Sequence, residues 1–101
     1  MSMVTGATIH KITQVEDEAP LSITNAATTA YTLEAGMGYV VFQNTGSKSV
    51  WMGGSTVDAD TARGYKLLPS ATWIFEAIKE QCKIYFHTAS GEASQISVIK
   101  G

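Results

Sequence analysis

From Leu21 onward the chain is punctuated at short intervals: runs rich in β-branched, aromatic and aliphatic residues stop at Gly, Pro, Asn, Asp or Ser and then resume. The runs are 21–25 (LSITN), 29–33 (TAYTL), 39–43 (YVVFQ), 49–53 (SVWMG), 65–68 (YKLL), 72–77 (TWIFEA), 83–88 (KIYFHT) and 95–99 (QISVI). Short β-like runs at this spacing, with turn chemistry between them, predict an all-β, antiparallel sandwich or barrel. A chain of 101 residues with 45% hydrophobic and 16% charged residues makes one such domain, because that length buries roughly two-thirds of its unfolded surface around a single core.

Alternation is clearest in the last run, where Ile96, Val98 and Lys100 share one face and Gln95, Ser97 and Ile99 the other, as a half-buried strand requires. Val40, Phe42, Trp51, Ile74 and Tyr85 are expected near the core. One segment also fits a helix: in WIFEAIKEQC, residues 73–82, Ile74, Ala77, Ile78 and Gln81 fall at i, i+3, i+4 and i+7. A strand followed by a turn is the expectation there, because Pro69 and Ser70 start the run at hairpin distance and KIYFHT follows as a plain strand.

Between VVFQ and SVWM lies the loop Asn44 to Lys48, whose Gly46 is suited to positive φ; the expectation is a hairpin of these two runs. Gly53 and Gly54 then stand where the second run leaves the sheet, as a corner or bulge into the polar loop STVDADTARG. No helix start follows them to present amides to a phosphate. Gly54 is expected to carry the unusual backbone.

Seven Lys and Arg against nine Asp and Glu give a net charge of -2, a weak field that disfavours nucleic acid as a partner. No run is long and apolar enough to span a membrane, and MSMVTGATIHK has neither the basic start nor the apolar block of a signal peptide, so the sequence reads as neither exported that way nor anchored. The single Cys82 has no intramolecular mate and reads as a half-buried strand-edge thiol without a role, in keeping with synthesis in a reducing cytoplasm.

Chemistry-bearing motifs are sparse. His10 and His87 lie far apart without Asp or Glu at ligand spacing, and both read as surface histidines; a zinc site needs three or four ligands. No serine sits in a GxSxG-like elbow. Asp58, Ala59 and Asp60 start like a calcium loop, but the next ligand place falls on Ala62 and the glycine place on Arg63, so a solvated loop is expected. These absences predict no enzyme, no metal and no cofactor.

Residues 1–19 differ in character from the domain at 20–101, with Pro20 at the boundary. Val4, Ile9, Ile12 and Val15 are scattered among threonines, which suits an extended arm that adds as a strand to a neighbour; these four are the expected protein-contact residues. Glu16, Asp17 and Glu18 close the arm as a solvated acidic run.

The ordered pattern V-x-x-Q-N-T-G-S-x-x-V-x-x-G-G, then V-x-A-D-x-x-x-G-Y-x-L-x-P and I-Y-F-H-T-A-S-G, resembles the small β-sandwich or β-barrel virion proteins of tailed bacteriophages, of the decoration (cement) or head-fibre type. Val40, Gln43, Asn44, Gly46, Val50, Gly53, Gly54, Gly64, Leu67, Pro69, Tyr85 and Gly91 carry the resemblance, which covers roughly Tyr39 to Gly101. It implies a jelly-roll-like fold, a homo-oligomer such as a trimer, the major capsid protein as partner and the capsid surface as location. The alternative is a carbohydrate- or receptor-binding fibre module that stacks sugars on Trp51, Trp73 and Tyr65. Against it, both tryptophans stand among apolar neighbours, where a tryptophan is usually core.

Overall fold

The computed structural model describes residues 15–101. Its strands are β1 (Glu16–Asp17), β2 (Leu21–Thr24), β3 (Thr29–Leu33), β4 (Tyr39–Asn44), β5 (Val50–Gly53), β6 (Tyr65–Leu67), β7 (Thr72–Glu76), β8 (Cys82–His87) and β9 (Ala93–Lys100). The eight runs expected from sequence are all strands, and β1 is a ninth. Sheet A joins β2, β9, β4 and β7 in that order, with β1 beside the far end of β9; sheet B joins β3, β8, β5 and β6. Every pair is antiparallel.

The order follows from one nested scheme. β5 pairs with β6, β4 with β7, β3 with β8 and β2 with β9, so the chain is a single long hairpin with its tip in the loop at 54–64. Rolling that ribbon adds the pairs β4 with β9 and β5 with β8 and produces two stacked sheets, which is the jelly-roll arrangement. Alternation supplies the core between them: Val40 and Phe42 from β4, Ile96 and Val98 from β9, Val50 and Met52 from β5, Tyr31 and Leu33 from β3, and Phe86 from β8, all buried. Phe42 is the hub, edge-on to Tyr31 and Phe86 at 5.2 Å and to Phe75 at 6.0 Å. Such pairs add about 0.5–1.5 kcal/mol each beyond the apolar area they bury.

Three of the residues expected near the core lie elsewhere. Ile74 is 54% exposed, because its neighbours Trp73 and Phe75 take the inward positions of β7. Trp51 and Tyr85 are half-buried on the outer side of sheet B, alternating with inward Val50, Met52 and Phe86. The segment 73–82 is strand then turn, as expected: Ala77 takes φ 51°, and its N–H bonds Gly38 O at 2.9 Å.

The expected hairpin of β4 and β5 does not form; the two strands belong to different sheets. Both carry an apolar inner face, and those faces meet across the core instead of lying side by side. Asn44, fully buried, makes the crossing. Its amide nitrogen donates to Lys48 O at 2.8 Å and Leu67 O at 2.9 Å, and its oxygen accepts from Gly46 N at 3.1 Å and Ser94 Oγ at 2.7 Å. Gly46 is needed for space rather than for positive φ: a Cβ there would lie 2.0 Å from Ser94 Oγ and 2.8 Å from Gln95 N.

β5 does end at Gly53, but Gly54 lacks positive φ and a Cβ on it would meet nothing within 4 Å. The constrained glycine is Gly64, at φ +120°, where a Cβ would stand 2.7 Å from Met52 O and from Val57 Cγ2.

Candidate functional site

The outer face of sheet A carries an apolar row. In register, Ile74 of β7 faces Val41 of β4, and Val41 faces Ile99 of β9. Ile74 and Ile99 are 54% and 39% exposed, and polar pairs flank the row: Tyr39 with Glu76 on one side, Gln43 with Thr72 and Ser97 on the other. β7 is an edge strand, so its outer backbone groups have no strand beside them.

The predicted contact residues divide. Val4, Ile9 and Ile12, with His10, lie outside the described residues. Val15 is 58% exposed, directly before β1. The segment read as an arm enters the sheet before Pro20: Glu16 and Asp17 pair with Lys100 and Ile99, and Glu18 N–H bonds Val98 O at 3.1 Å. The acidic run is also partly committed within the chain. Lys100 Nζ lies 3.3 Å from Glu18 and 3.9 Å from Glu16, and the Tyr31 hydroxyl donates to Glu18 Oε2. Burial, then that hydrogen bond, raises the Tyr31 pKa well above the ordinary tyrosine value.

His87 is not a surface residue; it is 8% exposed. Loop 54–64 folds back over it, so that Ala59 N–H donates to Nδ1 at 3.0 Å while Nε2 lies 3.1 Å from Asn25 O. These partners require the tautomer that carries its proton on Nε2. Both ring nitrogens are thereby taken by backbone, and neither is left to activate a serine. Asp58 Oδ1 lies 3.8 Å from Nδ1. Asp60 ties three loops together, accepting from Ser90 N and Asn25 Nδ2, both at 2.8 Å; those bonds, the Ser90 amide first, hold its carboxyl below the usual range. Asp58 and Asp60 stand in a solvated loop as expected, Asp58 Oδ1 capping Asp60 N at 3.0 Å, and Asp60 also ties that loop to its neighbours. Among the described residues no group of three or more His, Cys, Asp or Glu side chains converges as a metal site would. Cys82 opens β8 exposed, not half-buried.

The aromatics named for sugar stacking also separate. Tyr65, 52% exposed, and half-buried Trp73 pack together at 4.7 Å, closing the sandwich between β6 and β7; Trp73 Nε1 is buried without a partner among the described residues. Trp51 faces outward and lines a cleft of about 380 Å³ with Ser47, Lys48, Lys66, Ala89 and Glu92 among its walls. Sequence reasoning placed Trp51 in the core; the signal against that was its position between inward Val50 and Met52.

No helix among the described residues is long and apolar enough to cross a membrane. Comparisons with protein-family models, curated proteins and solved structures returned no match.

Proposed function

We propose that this chain is a non-enzymatic structural protein of a tailed-phage virion, a decoration or cement protein that docks on the major capsid protein as a homo-oligomer and stabilises the head by bridging subunits. The observation that carries the reading is the Ile74, Val41, Ile99 row on sheet A beside the unpaired edge of β7. A row of aliphatic side chains rimmed by polar residues suits burial against another protein surface, and an open strand edge suits main-chain pairing. The sequence resemblance points the same way. Jelly rolls also serve other tasks, so the fold alone does not choose between them. In this reading Val4, Ile9, Ile12 and Val15 add further contacts on assembly.

The test uses phage heads stripped of accessory proteins and the full chain. Wild type should saturate a fixed number of sites, whereas Ile74→Lys with Ile99→Lys should weaken binding by at least about a hundredfold, since it sets two charges into a desolvated contact. Both residues face solvent, so the variant should keep the wild-type circular dichroism. Full occupancy by the double variant would refute the docking face.

A further inference from the structure

The cleft beside Trp51 is on the opposite side of the sandwich from the apolar row, and it offers a different chemistry. Trp51 projects from a central strand of sheet B, with Lys66 opposite it on β6 and His87 opposite it on β8. His87 is covered by loop 54–64, so the open side of the indole is toward Lys66 and the wall of Ser47, Lys48, Ser49 and Glu92. The volume, about 380 Å³, is at the small end of ligand clefts.

The charges around the ring are uncommitted. Among the described residues, neither the Lys48 and Lys66 ammonium groups nor the Glu92 carboxylate has a hydrogen-bond or ion-pair partner; Glu92 is bonded through its backbone alone. An aromatic platform in a cleft that free cations and a free carboxylate both line matches a ligand having an apolar face, an anionic group and hydroxyl donors.

We propose that this cleft binds a hexuronate residue of an acidic glycan. The apolar C–H face of the pyranose stacks on Trp51, Lys48 and Lys66 take its carboxylate, and Glu92 accepts from ring hydroxyls. A nucleic-acid strand also offers a stacking face and an anion, but its nucleotides, with the 3′ oxygen esterified, have no free vicinal hydroxyl pair to satisfy the Glu92 carboxylate as a pyranose does. This site goes beyond capsid docking and does not rest on it: sheet A can bind a head whether or not sheet B binds a sugar.

The chain has two tryptophans, so Trp73→Phe leaves Trp51 as the sole indole reporter. Titrating that variant with trigalacturonate and with a glucuronate-containing disaccharide should give a saturable change in emission for at least one of them. A neutral galactose trimer and a short oligothymidylate should bind at least about tenfold more weakly. Lys48→Gln with Lys66→Gln, both exposed, should cost about tenfold toward the uronate and little toward the neutral sugar; Trp51→Ala, which removes the reporter, should abolish the binding heat of the uronate in titration calorimetry. The proposal is overturned if neither uronate gives a saturable change, if neutral and acidic sugars bind equally, if the oligonucleotide binds tighter, or if the folded lysine double variant binds the uronate as wild type does.

Discussion

The two connections that leave β5 are built on opposite principles. Before it, the short crossing from Asn44 to Ser49 is held from inside, by one fully buried amide with four partners and by a glycine packed against β9. After it, the long loop at 54–64 seats one buried side chain, Val57, and is otherwise held from outside, by hydrogen bonds to neighbouring loops through Asp60 and to β8 through His87 and by a bridge between Asp58 and Arg63. A crossing between sheets has to thread the core and so stakes much on few atoms. A loop at the hairpin tip lies on the surface and spreads its anchoring over many weak contacts.

If that contrast is right, substitutions in the first connection cost far more than those in the second. Asn44→Ala should be the most damaging, at about 3–5 kcal/mol by chemical denaturation, since it orphans the buried Leu67 carbonyl and Ser94 hydroxyl together. Gly46→Ala comes next, at about 2–4 kcal/mol, because its Cβ meets backbone at Gln95 as well as the Ser94 side chain; a variant with Ser94→Gly added should recover part of the loss. Gly64→Ala, in the second connection, should cost about 1–3 kcal/mol through its backbone angle and its contact with Met52 O.

Smaller effects sharpen the comparison. The Asp60 carboxyl is held below its ordinary value, so the folded state favours the carboxylate. Its stabilisation is present above the unfolded value of about pH 4 and is lost as pH falls through the lowered folded value. Asp60→Asn should flatten that acid slope of melting temperature. Gly54→Ala should change the melting temperature by less than about 1 °C, having neither a steric contact nor a positive φ. A large loss at Gly54 would mean the second connection is held from inside after all.

Much of the architecture was legible in the sequence because it is carried by local signals. Period-two alternation marked the strands, including Ile96 and Val98 against Ile99, and turn residues marked where they stop. Which strand pairs with which is not local. VVFQ and SVWM look like a hairpin over a distance of five residues, and only Leu67 and Ser94, 23 and 50 positions from Asn44, show why they are not one. The same limit hid the role of each glycine, since the atoms that Gly46 and Gly64 avoid touching are distant in sequence or folded back. For Trp51 the alternation was present, but the apolar company of Val50 and Met52 outweighed it. His87 went unrecognised as buried because its cover comes from loop 54–64, whose own composition is polar. The docking row was equally invisible: Ile74, Val41 and Ile99 are adjacent through two strand registers that no single segment encodes.

The nested pairing has a further consequence for how the protein comes into being. Every strand pair described joins one of β1–β5 to one of β6–β9; no pair lies within either half. During synthesis, residues 15–53 therefore emerge from the ribosome with no strand partner among themselves, and pairing waits until β6 and the later strands are made. The tip, β5 with β6, closes over the shortest span and is the natural first contact, while β1 with β9 closes last over the longest, the order that loop-closure entropy favours. A protease cut in the loop at 54–64 would leave two fragments that each need the other for any sheet at all, turning a unimolecular folding reaction into a concentration-dependent association.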